Sequence, residues 1–346
     1  MTMRKNGNRW FNMIAIMFLI SVVLSACGSQ ETSGNATEKK NTEQEKISLK
    51  IADIISNPVF QVAQDKGIFE KYGFETEIVT FATPAEGINA LFINQVDIAW
   101  GADFPVLNAV SKGDYSIVAS TNSENMDKNA VMWKLFVRDG IQKPEDLKGK
   151  TVSDIRGTFI SYLWDEYLKE NQLKIDDVKL VGQGGFDESY VALKNNELQA
   201  VWVTGGAMIE KFASIDGVHE LTDMSKTNVR IGSGVIAPNS LLKENPKAVE
   251  NFLSAIEETS KYITENPEET ADIMFKARKQ PNEITIKDLD FVNWKIEFSQ
   301  KAYDSLTKQK EYMVDNGIIK DDFDLDSKLS LDAVKQVVPD RVTYEK

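Results

Sequence analysis

Residues 86–100 read EGINALFINQVDIAW, and residues 188–202 read ESYVALKNNELQAVW. The first glutamate, the Ala-Leu pair, one asparagine and the final tryptophan coincide at one constant offset. Upstream, residues 51–54 (IADI) match residues 152–155 (VSDI) at nearly the same offset, with an aspartate in each. Short matches of this kind also arise by chance, but their shared order favours a duplicated structural unit.

The local patterns around both copies predict strands that alternate with helices. Residues 47–55 alternate as a strand does and break at Asn57-Pro58, and residues 74–81 and 96–100 predict two further strands. The second copy repeats this plan with strands at 150–155, 178–181 and 198–203. Beyond Pro238 the chain is mostly helical in pattern. The fold class is therefore α/β, with two Rossmann-like lobes that each contain a parallel sheet flanked by helices.

The amino-terminal segment has the composition of a secretory signal. Residues 1–9 carry Arg4, Lys5 and Arg9 with no acid, residues 11–24 are apolar apart from Asn12, and small residues lead to Cys27. This apolar run is too short for a membrane-spanning helix. Residues 1–26 are predicted to be the signal peptide. Residues 27–46 are predicted to be a flexible tether, because residues 28–46 are small, polar or charged.

The composition excludes several classes of function. The chain has 53 acidic and 40 basic residues, and this excess of acid argues against a nucleic-acid partner. Cys27 is the only cysteine, so neither a disulfide nor a metal-binding cysteine motif is available. His219 is the only histidine and lies in a polar, turn-like stretch, which indicates a surface residue. We therefore expect no catalytic residues, no metal and no cofactor.

Several segments resemble the substrate-binding proteins of bacterial ABC importers, in the branch that handles sulfonates, taurine, nitrate and thiamine-precursor pyrimidines. They are GIFEKYG at 67–73, QVDIAWG at 95–101, EDLKGK at 145–150, Gly157-Thr158, and the stretch from Pro238 to Pro246. The resemblance implies the type II periplasmic-binding-protein fold, with two lobes joined by two crossing strands and one ligand in the cleft. The crossings are expected near 135–137 and 230–234. Lobe 1 is then 47–135 together with the helical region 232–346, and lobe 2 is 136–231.

Leu24-Ser25-Ala26-Cys27 also resembles the lipobox of bacterial lipoproteins. This resemblance implies cleavage before Cys27, lipidation of its thiol and anchoring on the extracytoplasmic face of the cell membrane. The alternative is an accidental cysteine after an ordinary signal or membrane anchor. A monomer that delivers its solute to a membrane permease is expected. Two departures from the family pattern, Gln199 and the Gly205-Gly206 pair, mean that the solute cannot be carried over from any one family member.

Ligands of open α/β sheets bind beyond the carboxyl ends of the strands, in the loops that lead into helices. In this chain the rule selects loops 56–58, 82–84 and 101–103 in one lobe and 156–158, 183–185 and 204–206 in the other. The candidate ligand-binding residues are Asn57, Thr83, Pro84, Gly101, Ala102, Asp103, Arg156, Gly157, Thr158, Gly184 and Trp202. Helix amino termini at these loops could hold an anion through backbone N–H groups.

Each of these candidates has a plainer interpretation. Thr158 and Asp103 are also suited to cap helices, and Arg156 to pair with a surface carboxylate. Trp202 and the matching Trp100 are both suited to pack in the core. The predicted solute is a small anion such as a sulfonate, taurine or nitrate. The alternative is a thiamine-precursor pyrimidine or another flat, nitrogen-bearing ring. An enzyme on the same fold and a structural surface lipoprotein are two further alternatives from other classes.

Overall fold

The computed structural model describes residues 46–54 and 56–345. The predicted signal peptide, nearly all of the predicted tether and Cys27 lie outside the described residues. Within the described part, no helix is both long enough and apolar enough to cross a membrane.

The elements follow the predicted alternation of strands and helices. The strands are β1 Ile47–Ile54, β2 Phe74–Phe81, β3 Ile98–Ala102, β4 Tyr115–Thr121, β5 Lys134–Arg138, β6 Thr151–Ile155, β7 Lys179–Gln183, β8 Ala200–Val203, β9 Val218–Asp223, β10 Ser233–Pro238 and β11 Ile296–Glu297. The helices are α1 Val59–Asp65, α2 Ile68–Lys71, α3 Pro84–Phe92, α4 Asp103–Lys112, α5 Met126–Ala130, α6 Ile160–Glu170, α7 Phe186–Lys194, α8 Gly206–Ala213, α9 Asn239–Glu244, α10 Pro246–Glu265, α11 Pro267–Arg278, α12 Asn282–Leu289, α13 Gln300–Asp315 and α14 Asp332–Val337.

The strands form two sheets with the same internal layout. The first sheet has the order β11-β4-β10-β3-β1-β2, and the second has the order β7-β6-β8-β5-β9. In each sheet three neighbouring strands are parallel, namely β2-β1-β3 and β7-β6-β8. A fourth strand then joins in the antiparallel direction, which is β10 beside β3 and β5 beside β8. The matching order agrees with the duplication that the sequence predicts.

The antiparallel fourth strands add to the predicted parallel sheets. Each of these strands enters its sheet directly after the chain has passed from the other sheet. The passages are residues 122–133, which include α5, and residues 224–232. The second passage agrees with the predicted crossing near 230–234. Residues 135–137 lie inside β5, which begins directly after the first passage, and that passage contains the helix α5.

Large aromatic side chains hold helices against each sheet. In the first lobe, Phe252 of α10 contacts Phe60, Phe69 and Phe74 at ring-centroid distances of 6.0–6.4 Å. All four rings are fully buried, and each contributes on the order of 1.5–3 kcal/mol by burial. The helix that carries Phe252 begins at Pro246, with Asn245 as a cap whose side chain accepts a hydrogen bond from Ala248 N. These contacts fix the strands whose carboxyl ends form the candidate site.

Candidate functional site

The structure brings loops from the two lobes into contact. Gly157 follows β6 in the second lobe, and a Cβ built on it would lie 3.3 Å from Cβ of Ala85, next to the predicted residues Thr83 and Pro84. Gly157 has a φ of +76°, which favours glycine at this turn. The predicted loops 82–84 and 156–158 therefore face each other across a closed cleft.

The start of α3 is capped by the protein itself. Thr83 is the N-cap, and its hydroxyl accepts a hydrogen bond from Glu86 N at 3.3 Å. The carboxylate of Glu86 accepts one from Ala82 N at 3.0 Å. Pro84 occupies the first helical position, where a missing N–H does no harm. The backbone N–H groups of Ala82 and Glu86 are thus already hydrogen-bonded within the protein and are not available to an anion.

The same arrangement recurs in the second lobe. The carboxylate of Glu188 accepts a hydrogen bond from Gly184 N at 2.5 Å, at the start of α7. Asp288 of the first lobe accepts one from Gly206 N at 3.1 Å, at the start of α8. Burial raises the pKa of Asp288 to about 6, against the opposing effects of the Gly206 amide and Lys287. Protein carboxylates rather than free donors therefore occupy several of the predicted helix starts.

Asp103 lies in the buried interior. It is 3% exposed, and its Oδ2 accepts hydrogen bonds from Gly232 N at 2.8 Å, Ser305 Oγ at 2.5 Å and Gln309 Nε2 at 3.0 Å. Burial raises the pKa of this carboxyl to about 6. In this conformation Oδ2 of Asp103 accepts three hydrogen bonds in the buried interior, two of them from α13. These bonds favour a structural role, and the expected contact of Asp103 with a ligand stays a prediction.

The neighbours of Asp103 also have structural roles. Gly101 is buried in β3, and a Cβ on it would lie 2.7 Å from Cδ1 of Ile88. The absence of a side chain there lets α3 pack on the strand, so close approach to a ligand is not needed to explain it. Ala102 is half-buried at the end of β3 and precedes α4 directly.

Arg156 and Thr158 bond to nearby backbone. Nη2 of Arg156 donates to the carbonyl of Gly182 at 2.6 Å, although the residue is exposed. The hydroxyl of Thr158 donates to the carbonyl of Ile155 at 2.7 Å and accepts from Ile160 N at 3.4 Å. Thr158 thus stabilises the turn before α6, although the N-cap position of this helix is occupied by Phe159. Arg156 stays at the rim of the loops.

Trp202 belongs to the core of the second lobe. It is 1% exposed, and its ring lies 5.9 Å from that of Trp164 and 5.5 Å from that of Tyr167. In this conformation both rings cover Trp202, although its Nε1 has no hydrogen-bond partner in the protein, and its role as a ligand contact stays a prediction. Trp100, the matching residue of the first lobe, is half-buried and donates Nε1 to Thr121 Oγ1 at 3.0 Å.

Unpartnered polar atoms support the predicted residue Asn57 and add residues that the candidate list lacks. In the described part of the chain, ten buried side-chain N or O atoms have no hydrogen-bond partner in the protein. Four of them belong to Asp53, Asn57, Asp154 and Gln183, at or just after the ends of β1, β6 and β7. Such atoms are rare in folded proteins and cost about 1–3 kcal/mol each when left unsatisfied. Their position at the carboxyl ends of strands in both lobes coincides with the expected ligand site.

The polar residues at this end of β1 are the pair of Asp53 with Arg278 and, three residues beyond the strand, Asn57; together they are called the polar cluster. Oδ2 of Asp53 lies 3.4 Å from Nη2 of Arg278, while Oδ1 of Asp53 and Nε of Arg278 have no partner. Asn57 accepts from Val59 N at 3.1 Å through Oδ1 and leaves Nδ2 unpartnered. Burial raises the pKa of Asp53 to about 7, against the opposing effects of the Ile54 backbone and Arg278. The cluster therefore offers both acceptors and donors near neutral pH.

The second lobe contributes acceptors and aromatic rings. Oδ1 of Asp154 and Oε1 of Gln183 lack partners, and burial raises the pKa of Asp154. Trp133, at the end of the first crossing, lies edge-on to Phe159 at 4.7 Å and contacts Phe186 at 6.2 Å. Phe159 and Phe186 stand at the starts of α6 and α7, and Trp133 and Phe186 are only half-buried. This group, Trp133, Phe159 and Phe186, is called the aromatic cluster below.

A signal for part of this site was present in the sequence. Asp53 and Asp154 are the aspartates that coincide in the repeated IADI and VSDI segments. In the structure each aspartate lies one residue before the end of the central parallel strand of its sheet. The repeat therefore places an equivalent carboxyl group in each lobe. Nothing local in the sequence marks Arg278 or Trp133.

His219 lies apart from these loops, in β9 at the edge of the second sheet. It is half-buried in a strand rather than in the polar turn that the sequence suggested. Among the described residues, no group of three or more His, Cys, Asp or Glu side chains could hold a metal ion.

Comparison with known proteins identifies the family. A family model described as NMT1/THI5 like matches residues 58–270. The chain belongs to this family. A candidate binding protein of Brucella abortus is 27% identical over 237 residues, which cover 66% of this chain and 70% of that protein. A candidate thiamine biosynthesis protein of Haemophilus influenzae is 27% identical over 267 residues, which cover 73% and 79%.

Solved structures with the same fold include binding proteins and an enzyme. The periplasmic aliphatic sulphonate binding protein SsuA of Escherichia coli has a TM-score of 0.70 at 17% identity and covers 82% of this chain and 97% of its own. The desulfurization enzyme DszB has a TM-score of 0.62 at 13% identity and covers 85% and 99%. These structural similarities establish the periplasmic-binding-protein fold. The solute is inferred from the residues of this chain.

Proposed function

We propose that the protein is the extracytoplasmic solute-binding component of an ABC importer. The observation that carries this proposal is the set of unpartnered buried polar atoms at the strand ends of both lobes. A small solute enclosed between the lobes would satisfy these atoms and so favour the closed form. Family membership, the binding proteins among its structural neighbours and the binding-protein name of the Brucella relative support the same role.

A flat, nitrogen-bearing ring is the solute class that the site supports best. Asp53 and Asp154 can accept hydrogen bonds from amino groups, while Asn57 and Arg278 can donate to ring nitrogens. The aromatic cluster supplies ring faces and edges against which such a solute could stack. The name of the Haemophilus relative, which refers to thiamine biosynthesis, is consistent with a thiamine-precursor pyrimidine.

A small anion is the second candidate. Its support is the exposed guanidinium of Arg156, the unpartnered Nε of Arg278 and the sulfonate-binding neighbour. The carboxylates of Glu86, Glu188 and Asp288 oppose it, since they hold backbone donors that an anion would need. Sulfonates, taurine and nitrate therefore rank below the nitrogen heterocycles.

A thermal-shift screen distinguishes these classes. The panel contains an aminopyrimidine, other nitrogen heterocycles, an alkanesulfonate, taurine and nitrate. We expect stabilisation by a nitrogen heterocycle, because a ligand that binds only the folded state raises its stability as the ligand concentration exceeds Kd. Stabilisation by the sulfonate or taurine alone would favour the second candidate, a small anion, as the solute. No stabilisation by any compound would contradict the solute-binding role for both classes.

The proposed role is binding rather than catalysis. Cys27 lies outside the described residues and is assigned to lipidation, and His219 stands on the edge of the second sheet. The DszB neighbour shows that the fold also supports enzymes, so the screen includes recovery of each stabilising compound. We expect the compound to be recovered unchanged after long incubation with the protein.

We further propose that lipid on Cys27 holds the mature protein on the extracytoplasmic face of the membrane, beside its permease. The Leu24-Ser25-Ala26-Cys27 segment supports this proposal. A Cys27→Ala variant is expected to lose lipid labelling and membrane retention while keeping its solute affinity. Retention of the variant together with an unlabelled wild type would contradict the anchor.

A further inference from the structure

One contact between the lobes is made by a carboxylate at a helix start. Asp288 lies in α12, which packs beside α11 in the first lobe, and α8 belongs to the second lobe. Oδ1 of Asp288 accepts a hydrogen bond from the backbone N–H of Gly206, the first residue of α8, at 3.1 Å. A negative charge at this end of a helix is stabilised by the unpaired N–H groups and by the helix dipole.

The backbone of the second lobe is shaped to admit this carboxylate. A Cβ built on Gly206 would lie 2.8 Å from Oδ1 of Asp288 and 3.1 Å from Cγ2 of Ile284. Gly205 has a φ of +86°, which a residue with a side chain adopts only at a cost. The approach of Asp288 therefore explains Gly206, and the positive φ explains Gly205.

We propose that Asp288 is a positioning residue that closes the lobes by taking the place that an anionic group of a solute would occupy at α8. The protein supplies this negative charge itself. Lobe closure consequently needs no anion from the solute, and an anionic group is repelled from this end of the cleft. The consequence for solute choice rests on the proposed solute-binding function. The effect of Asp288 on lobe closure does not rest on that function, because closure is measured without a solute.

The test is the radius of gyration of the ligand-free protein in small-angle scattering. We expect Asp288→Ala to increase the radius of gyration towards that of separated lobes. Asp288→Asn, which keeps an acceptor oxygen, should cause a smaller increase. Glu283→Ala removes an exposed carboxylate from the same helix and is the matched control, for which no change is expected.

Formate provides a second readout, because it returns a free carboxylate of the deleted size. We expect formate to restore the compact form of Asp288→Ala, while chloride at equal ionic strength does not. If Asp288→Ala does not fold, Gly206→Ala replaces it, since the added Cβ would displace the carboxylate. An unchanged radius of gyration in a folded variant, or a change equal to that of Glu283→Ala, would overturn the proposal.

Discussion

Asp103 and Gly232 are joined by two hydrogen bonds. Gly232 N donates to the carboxylate of Asp103 at 2.8 Å, and Asp103 N donates to the carbonyl of Gly232 at 3.2 Å. Ser305 Oγ donates to the same carboxylate and also lies 3.1 Å from the carbonyl of Arg230. The second crossing is thus fastened to α4 and α13 at the point where the chain returns to the first sheet. We infer that this network anchors the second crossing, and we call it the hinge anchor.

Replacing Asp103 should destabilise the fold strongly. In Asp103→Ala the donors of Gly232, Ser305 and Gln309 lose a buried acceptor, and we expect a loss of about 3 kcal/mol in the free energy of unfolding in urea. Asp127→Ala is the control. It breaks a pair with Arg230 in which the aspartate side chain is 79% exposed, and should cost about 1 kcal/mol or less. Equal losses in the two variants would contradict the hinge anchor.

The same carboxyl predicts a pH dependence of stability. Burial raises the pKa of Asp103 from 3.8 to about 6 in the folded protein. A group whose pKa is raised on folding contributes stability that is present below the unfolded value and is lost as the pH rises through the folded value. From pH 4 to pH 7 the wild type should therefore lose stability relative to Asp103→Asn. A difference that stays constant over this range, measured by urea unfolding, would contradict the assignment.

Gly157 should control how closely the lobes approach. Gly157→Ala costs about 1–2 kcal/mol for a side chain at positive φ and adds a methyl group 3.3 Å from Ala85. Gly149→Ala is the matched control, because its φ is +75° and a Cβ there meets nothing within 4 Å. We expect only the Gly157 variant to enlarge the radius of gyration and weaken solute binding. Equal effects would mean that strain, and not lobe contact, explains the result.

Trp202 should affect stability and not solute affinity. Trp202→Phe leaves a cavity between the rings of Trp164 and Tyr167, and we expect it to cost about 2 kcal/mol in the free energy of unfolding. Solute affinity measured on the folded variant should stay within about twofold of wild type. A tenfold loss of affinity without a loss of stability would indicate that Trp202 contacts the solute.

The parallel strands of both lobes could be predicted because their apolar alternation and the proline and glycine breaks are local. β1 and β2 begin and end almost where the sequence placed them. The antiparallel strands β5 and β10 were not predicted as such, since their partners are set by the crossings. Likewise, the sequence predicted which loops follow the carboxyl ends of the strands. It did not predict in which direction the side chains of these loops point. Asp103 faces Ser305, and Asp53 faces Arg278, about two hundred residues away in the chain.

The measurement that tests the central claim most directly is a calorimetric titration of the best heterocycle from the screen into wild type, Asp53→Asn and Asp154→Asn. The account predicts one site per chain and, for each variant, a loss of affinity of about ten- to a hundredfold, because each replaces a carboxyl group that hydrogen-bonds the solute with an amide. Binding of the heterocycle with the same affinity in all three proteins would contradict it.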